Sequence, residues 1–329
     1  LYISTRLQLC IATVYSAPGT RPNPGGIPGK PDRRPGRHAP ARHRKYGCPR
    51  PGHPAGWQGR SDAHREAAFL LYARIAGYGF RRHSTYRAAA VAGAFTNTVF
   101  GILRAYVLIA LWQARPGLAG YDLADAVTFC FLSQAFIGPM QVFGGGLELS
   151  ERVRSGDVAL DLVRPASLQM WSLADDLGRA AYLLLLRSLP PTAVGAALFG
   201  LVAPAGPAAC LSFAAGLVLG VVVSFALRYL VALSACWMVD DRGVQSLSLV
   251  TTLFFSGMVL PLNLFPGWLG TLAEALPWSA MVQVPADLYL GKRDALEALG
   301  FQLAWAVALL ALGALATGAA RRKVVIQGG

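Results

Sequence analysis

The sequence predicts an all-α integral membrane protein of six transmembrane helices, with N and C termini cytoplasmic and short half-inserted helices between spans five and six. Three observations predict it. Hydrophobic residues make up 54% of the 329 and charged residues only 14%, a balance outside the ordinary soluble range. From Ala88 onward the apolar residues fall into six runs of membrane length. Arginine is shared unequally between the alternate connections, which orients the chain. The formal charge of +13 belongs to none of this. Residues 1–87 hold 16 Lys or Arg against 3 acids, while 88–329 hold 14 of each. All five histidines also precede the first span, so the excess marks an N-terminal arm and no nucleic-acid partner is expected.

Residues 1–62 form that arm. It is rich in Pro, Gly, Arg and His and cannot bury enough apolar surface to offset chain entropy, so it is expected to be disordered. The first methionine is Met140, and the arm reads as upstream sequence translated from a start assigned too early. Residues 63–87 change character. Phe69, Tyr72, Ile75 and Phe80 recur at roughly helical spacing among Arg74, Arg81 and Arg82, as in an amphipathic helix on the inner membrane face.

Residues 88–329 are the six-span domain. The spans are Ala88 to Leu111, Leu123 to Phe143, Ala181 to Val202, Leu211 to Met238, Val244 to Leu262 and Gly300 to Ala320. With the N terminus inside, the inner segments carry Arg152, Arg154, Arg164, Arg179, Arg242, Arg321, Arg322 and Lys323, against Arg115, Lys292 and Arg293 outside; both ends are therefore cytoplasmic. Pro190-Pro191 is expected to kink the start of the third span. Gly216, Gly220 and Ser224 recur every four residues and predict close helix packing. Arg228 sits near mid-span, where two readings stand: with Thr96 and Asn97 it lines a polar translocation path, or it is buried against a neighbouring helix. Between the last two spans, Pro261, Pro266, Pro277 and Pro285 cut the chain into apolar pieces too short to cross, which form a cap over the outer mouth.

An inner loop over 145–180 contains the longest charged passage between hydrophobic segments, Ser150 to Pro165, SERVRSGDVALDLVRP. Asp157 and Asp161 lie four apart on one helical face. The passage reads either as a solvated loop or as a docking element for a soluble partner.

Catalytic chemistry is absent from the pattern. No histidine follows His83, which removes a membrane zinc site of the H-E-x-x-H kind and a serine with a histidine base. Gly29-Lys30 and Gly291-Lys292 are not followed by Ser or Thr, so no phosphate-binding loop exists. The five cysteines show no metal-ligand spacing. No acidic residue is expected deep in a span, which disfavours a proton-coupled carrier. No catalytic, cofactor or metal residue is therefore expected in this chain.

The inner helix leading to Tyr86-Arg87, the loop SGDVALDLVRP and the outer passage FFSGMVLPLNLFPGWLGTLAEALPWSAMVQVPADLYLGK from Phe254 to Lys292 together resemble the permease subunits of type-two ABC exporters. The resemblance is to the bacterial branch with paired permeases and a separate ATPase, and it covers roughly Phe69 to the C terminus. It implies a permease dimer, of paralogous or identical subunits, on two ATPase subunits, with ATP and Mg held by the ATPase and none in this chain. It implies no catalytic residue here. Under this resemblance Gly156, Asp157, Leu160, Asp161, Leu162, Arg164 and Pro165 form the ATPase-coupling surface. The expected function is the ATP-driven export of a hydrophobic or amphipathic substrate across the cytoplasmic membrane of a bacterium, among membrane lipids. The alternatives are an ATP-independent carrier or channel and a lipid-modifying membrane enzyme.

Overall fold

The computed structural model describes residues 57–143, 147–163, 167–238 and 241–327. Residues 1–56, which hold most of the expected arm, lie outside that set, and so do Arg164 and Pro165 of the expected coupling surface. The chain divides into two compact units, 1–68 and 69–329. The described part of the first unit, 57–68, forms the opening turns of helix α1 (Trp57–Ser84), so residues 57–62 are helical where an irregular arm is expected.

The helices that follow are α2 (Arg87–Ala114), α3 (Leu123–Phe136), α4 (Glu148–Ser155), α5 (Val158–Val163), α6 (Leu168–Leu183), α7 (Leu189–Phe199), α8 (Pro207–Ser234), α9 (Arg242–Phe255), α10 (Gly267–Ala275), α11 (Gln283–Leu290) and α12 (Ala295–Gln327). Among the described residues there is no strand. Four stretches are long and apolar enough to cross a membrane: Arg87–Ala114, Leu168–Phe199, Pro207–Ser234 and Ala295–Lys323. They correspond to the first, third, fourth and sixth expected spans. The second and fifth are helical over only 14 residues each, in α3 and α9. That length is about 21 Å, short of the ~30 Å hydrocarbon core. After them the chain continues in turns and bends, over residues 137–143 and 256–260.

The third span differs from expectation at its start. It begins at Leu168, not Ala181, so residues 168–180, grouped with the inner loop, are its first turns. Asp175, Asp176 and Arg179 made this stretch look like loop; in the fold the latter two are buried in an ion pair, which lets an apolar helix carry them. Pro190-Pro191 therefore lies well inside the long stretch. Just ahead of the prolines the hydrogen-bond ladder widens into a π turn, Leu184–Ser188, at the place where two missing N–H groups would otherwise break it.

The small-residue stripe on α8 is a packing surface. A Cβ on Gly216 would come within 2.6 Å of Leu288 Cδ1, and one on Gly220 within 3.0 Å of Met140 Cε and 3.2 Å of the Ala280 carbonyl. Ser224 instead donates to the Met140 carbonyl at 2.6 Å. Around this stripe Phe129, Phe136, Val221, Met258 and Val282 fill the main core. Trp112 is 2% exposed and donates its Nε1–H to the Tyr121 carbonyl at 2.8 Å.

The last turns of α1 lie against α6 at backbone distance. A Cβ on Gly178 would fall 1.9 Å from the Ala76 carbonyl oxygen, and one on Gly79 would fall 2.4 Å from that of Asp175. Phe80 stacks edge-on against Tyr182, ring centroids 5.5 Å apart. Of the expected apolar face of α1, Phe69 is exposed, while Tyr72, Ile75 and Phe80 are half-buried. Gly178→Ala is expected to force α1 and α6 apart and destabilise the fold by about 2–3 kcal/mol, read as a lowered Tm in detergent. Gly77→Ala, with nothing within 4 Å of the added Cβ, should leave Tm unchanged or raise stability by up to about 1 kcal/mol.

Candidate functional site

Helices α4 and α5 form an elbow over Glu148–Val163. The chain turns between them at Gly156, which is left-handed at φ +84° and caps α4, a conformation that only glycine takes freely. The underside of the elbow is apolar: Leu149 and Val158 are buried with Leu168, Phe225, Tyr229 and Leu233 beneath the C-terminal half of α8. Its edges are held by ion pairs. Arg82 at the end of α1 reaches Glu148 at 3.1 Å and Asp175 at 2.8 Å. Arg154 reaches Asp241, at the start of α9, at 2.6 Å. Burial pushes the Asp241 carboxyl up, but the hydrogen bond from Gln245 and the charge of Arg154 prevail and hold it below the usual carboxylate range.

The expected coupling residues divide between two roles. Asp157 is exposed and accepts from the Ser155 hydroxyl at 2.9 Å. Leu160 is 68% exposed. Asp161 is 5% exposed and paired with Arg152 at 2.5 Å, so it braces the elbow from within instead of facing outward with Asp157. Leu162 belongs to α5, and Arg164 and Pro165 lie outside the described residues.

Beside the elbow, inside the bundle, a charge cluster crosses from α6 to α8. Asp176 is 3% exposed and lies between two arginines. Arg179 donates from Nε to its Oδ1 at 2.8 Å and Arg228 from Nη2 to its Oδ2 at 2.7 Å. The remaining donors bind the turn that ends α3. Arg179 reaches the Gly138 and Pro139 carbonyls at 3.0 and 2.9 Å, and Arg228 reaches Gln141 Oε1 at 2.9 Å. Gln141 itself has φ +49°, unusual for a residue with a side chain. Asp176 overturns the expectation that no acidic residue lies deep in a span. With two guanidinium partners, however, it is a fixed structural anion.

The three residues expected on a polar path are not brought together. Arg228 belongs to the Asp176 cluster. Asn97, 1% exposed, donates to the Gln134 carbonyl at 3.1 Å. Thr96 is half-buried on α2 and donates to the Ala92 carbonyl of its own helix at 2.9 Å.

At the opposite end, Tyr121 ahead of α3 donates its hydroxyl to Asp287 of α11. Gln283 Nε2 donates to both Asp287 oxygens at 3.1 Å, and its Oε1 accepts from the Leu262 N–H at 2.9 Å. Lys292 pairs with Asp125 at 2.5 Å. Sequence reasoning singled out Arg228, with burial against a neighbouring helix as one of its two readings, but neither Asp176 nor this network. The one available signal was the i, i+3 spacing of Asp176 and Arg179 directly before the apolar run AAYLLLL. Among the described residues no group of three or more His, Cys, Asp or Glu side chains is placed to hold a metal ion.

A family model described as "ABC-2 family transporter protein" matches residues 98–328, a span that contains the elbow, the Asp176 cluster and the Tyr121–Asp287 network. No curated protein matches the chain. Asp176→Asn leaves two guanidinium groups buried without a counter-charge and is expected to destabilise by about 3–5 kcal/mol. Arg228→Met leaves the Asp176–Arg179 pair balanced and should be markedly milder, as compared by thermal unfolding in detergent.

Proposed function

The chain belongs to the ABC-2 family of transporter proteins, and from that premise we propose that it is the membrane-embedded permease subunit of an ATP-driven exporter. ABC-2 permeases are membrane components without catalytic groups of their own, and a partner ATPase would hold the ATP and Mg. In this reading the turns that follow α3 and α9 complete a second and a fifth crossing. The count is then six, with α1, the elbow and the end of α12 on the cytoplasmic side of a bacterial membrane. Two permeases pair, and a hydrophobic or amphipathic substrate passes outward between them.

The observation that carries the proposal is the two-sided elbow. One side is fixed to three helices through Glu148, Arg154 and the apolar cluster under α8. The other offers an exposed leucine and an exposed aspartate. A partner can bias a conformational equilibrium only by binding its states differently. A docking surface held at its edges by ion pairs to α1 and α9 transmits such a bias to the spans themselves. Arg228 has its donors committed to Asp176, Gln141 and Ser224, so its part is to fix a wall of the path, while Thr96 is half-buried and bonded within α2.

The experiment is co-purification with the cognate ABC ATPase that this reading requires. Leu160→Glu and Asp157→Arg should each lower the recovered ATPase about tenfold or more, as loss of a docking hot spot does, with membrane insertion unchanged. Asp161→Asn should instead lower Tm by loosening the elbow from Arg152. Undiminished ATPase recovery with both surface variants removes the elbow from the docking role.

A further inference from the structure

The end of the molecule opposite the elbow holds a carboxylate in an unusual setting. Asp287 on α11 is 6% exposed, and Tyr121 and Gln283, which bond it, are each 1% exposed. Both partners are neutral donors. Of the cations nearby, Lys292 pairs with Asp125, and Arg293 lies over the ring of Phe301 at 5.8 Å, from where its charge still favours the ionised carboxylate. Among the described residues no cation pairs with Asp287. Its surroundings also include Glu274 of α10, whose charge opposes ionisation. Tyr121 is itself raised by burial and by Asp287, and stays neutral.

This network joins separate segments. Trp112 at the end of α2 holds the Tyr121 carbonyl, Gln283 receives the Leu262 N–H, and the Gln283 N–H donates to the Ser256 carbonyl at 3.0 Å. Separation of Tyr121 from α11 would expose Asp287 to water.

We propose that the cap formed by α10 and α11 is a proton-operated latch, in which protonated Asp287 holds it shut and ionised Asp287 favours its opening. A buried carboxylate without a counter-ion is destabilised in the charged form. Release into water relieves that penalty, and a neutral carboxyl feels none. Burial accordingly raises Asp287 to about 6, against the lowering effect of the hydrogen bonds from Tyr121 and Gln283. A carboxyl whose affinity for protons is higher in the closed state stabilises that state in acid, and the stabilisation fades as pH rises through about 6. Tyr121 titrates far above that interval, and no histidine follows His83. The sidedness of the latch rests on the exporter reading, in which this end faces outward; the latch itself does not.

The test is hydrogen–deuterium exchange of the α11 amides in the full-length protein in nanodiscs, corrected for the intrinsic pH dependence of exchange. Between about pH 7.5 and about pH 5, protection should rise roughly tenfold, as linkage with these proton affinities requires. Asp287→Asn should be protected throughout and flat with pH. Tyr121→Phe, which removes a hydrogen bond to the carboxylate, should keep the transition and move its midpoint to higher pH. A flat wild-type profile, or one shared by Asp287→Asn, overturns the latch. ATPase co-purification scores the exporter reading separately, so either can fail alone.

Discussion

A carboxylate removed from water needs opposite charge close by, and Asp176 has two guanidinium groups within 3 Å. Much of the inner half of the bundle follows from that requirement. To bring Arg179 and Arg228 onto one carboxylate, α6 must start before Asp176 and lie alongside α8. The donors left over then need acceptors. They find them in the Gly138 and Pro139 carbonyls and the Gln141 side chain, which is where α3 gives way to a turn. A helix end buried without partners would be unstable, so the charge cluster also secures the end of α3. The net charge of the trio is positive, and seven hydrogen bonds from its guanidinium groups go to neutral oxygens or to the shared carboxylate.

The two ends of the molecule use buried aspartate in opposite ways. Asp176 is over-supplied with cations and therefore fixed in charge and position. Asp287 has neutral donors only, so its charge state responds to the medium and its place in the closed structure is conditional. The difference lies entirely in the neighbours, because side chain and burial are the same: 3% exposed in one case and 6% in the other. A rigid cluster beside the elbow and a conditional network at the opposite end suit the proposed exporter, which is driven from one side and opens on the other.

The sequence made the fold class legible because hydropathy and charge asymmetry do not depend on tertiary contacts. The stripe of Gly216, Gly220 and Ser224 was readable for the same reason: small residues every four positions have one common use. Span boundaries were less legible. Asp175, Asp176 and Arg179 look like loop when each is scored as an isolated charge, and only their pairing makes residues 168–180 an apolar helix. Asp161 was misjudged similarly, since its helical face is a local property while its ion pair with Arg152 is a matter of how α4 folds back on α5. The Tyr121–Asp287 contact joins residues 166 apart, a separation at which no periodicity carries information.

Helix α8 brings these parts into one mechanical account. It is 28 residues long, about 42 Å, and nearly every cluster touches it in order. Leu233 and Tyr229 lie under the elbow, Arg228 in the charge cluster, Ser224 on the Met140 carbonyl, and Gly216 against Leu288 one residue beyond Asp287. Coupling over such a distance needs a stiff element and, at its far end, something with two states. The close contacts of the glycine stripe supply the stiffness, since α8 cannot tilt without displacing Met140 and Leu288. The two states are supplied by α11, a helix of eight residues whose carboxylate is stable only while neutral or released. A small tilt started at the elbow need not carry the full work of opening; it has only to unseat Leu288, after which hydration of Asp287 favours the rest.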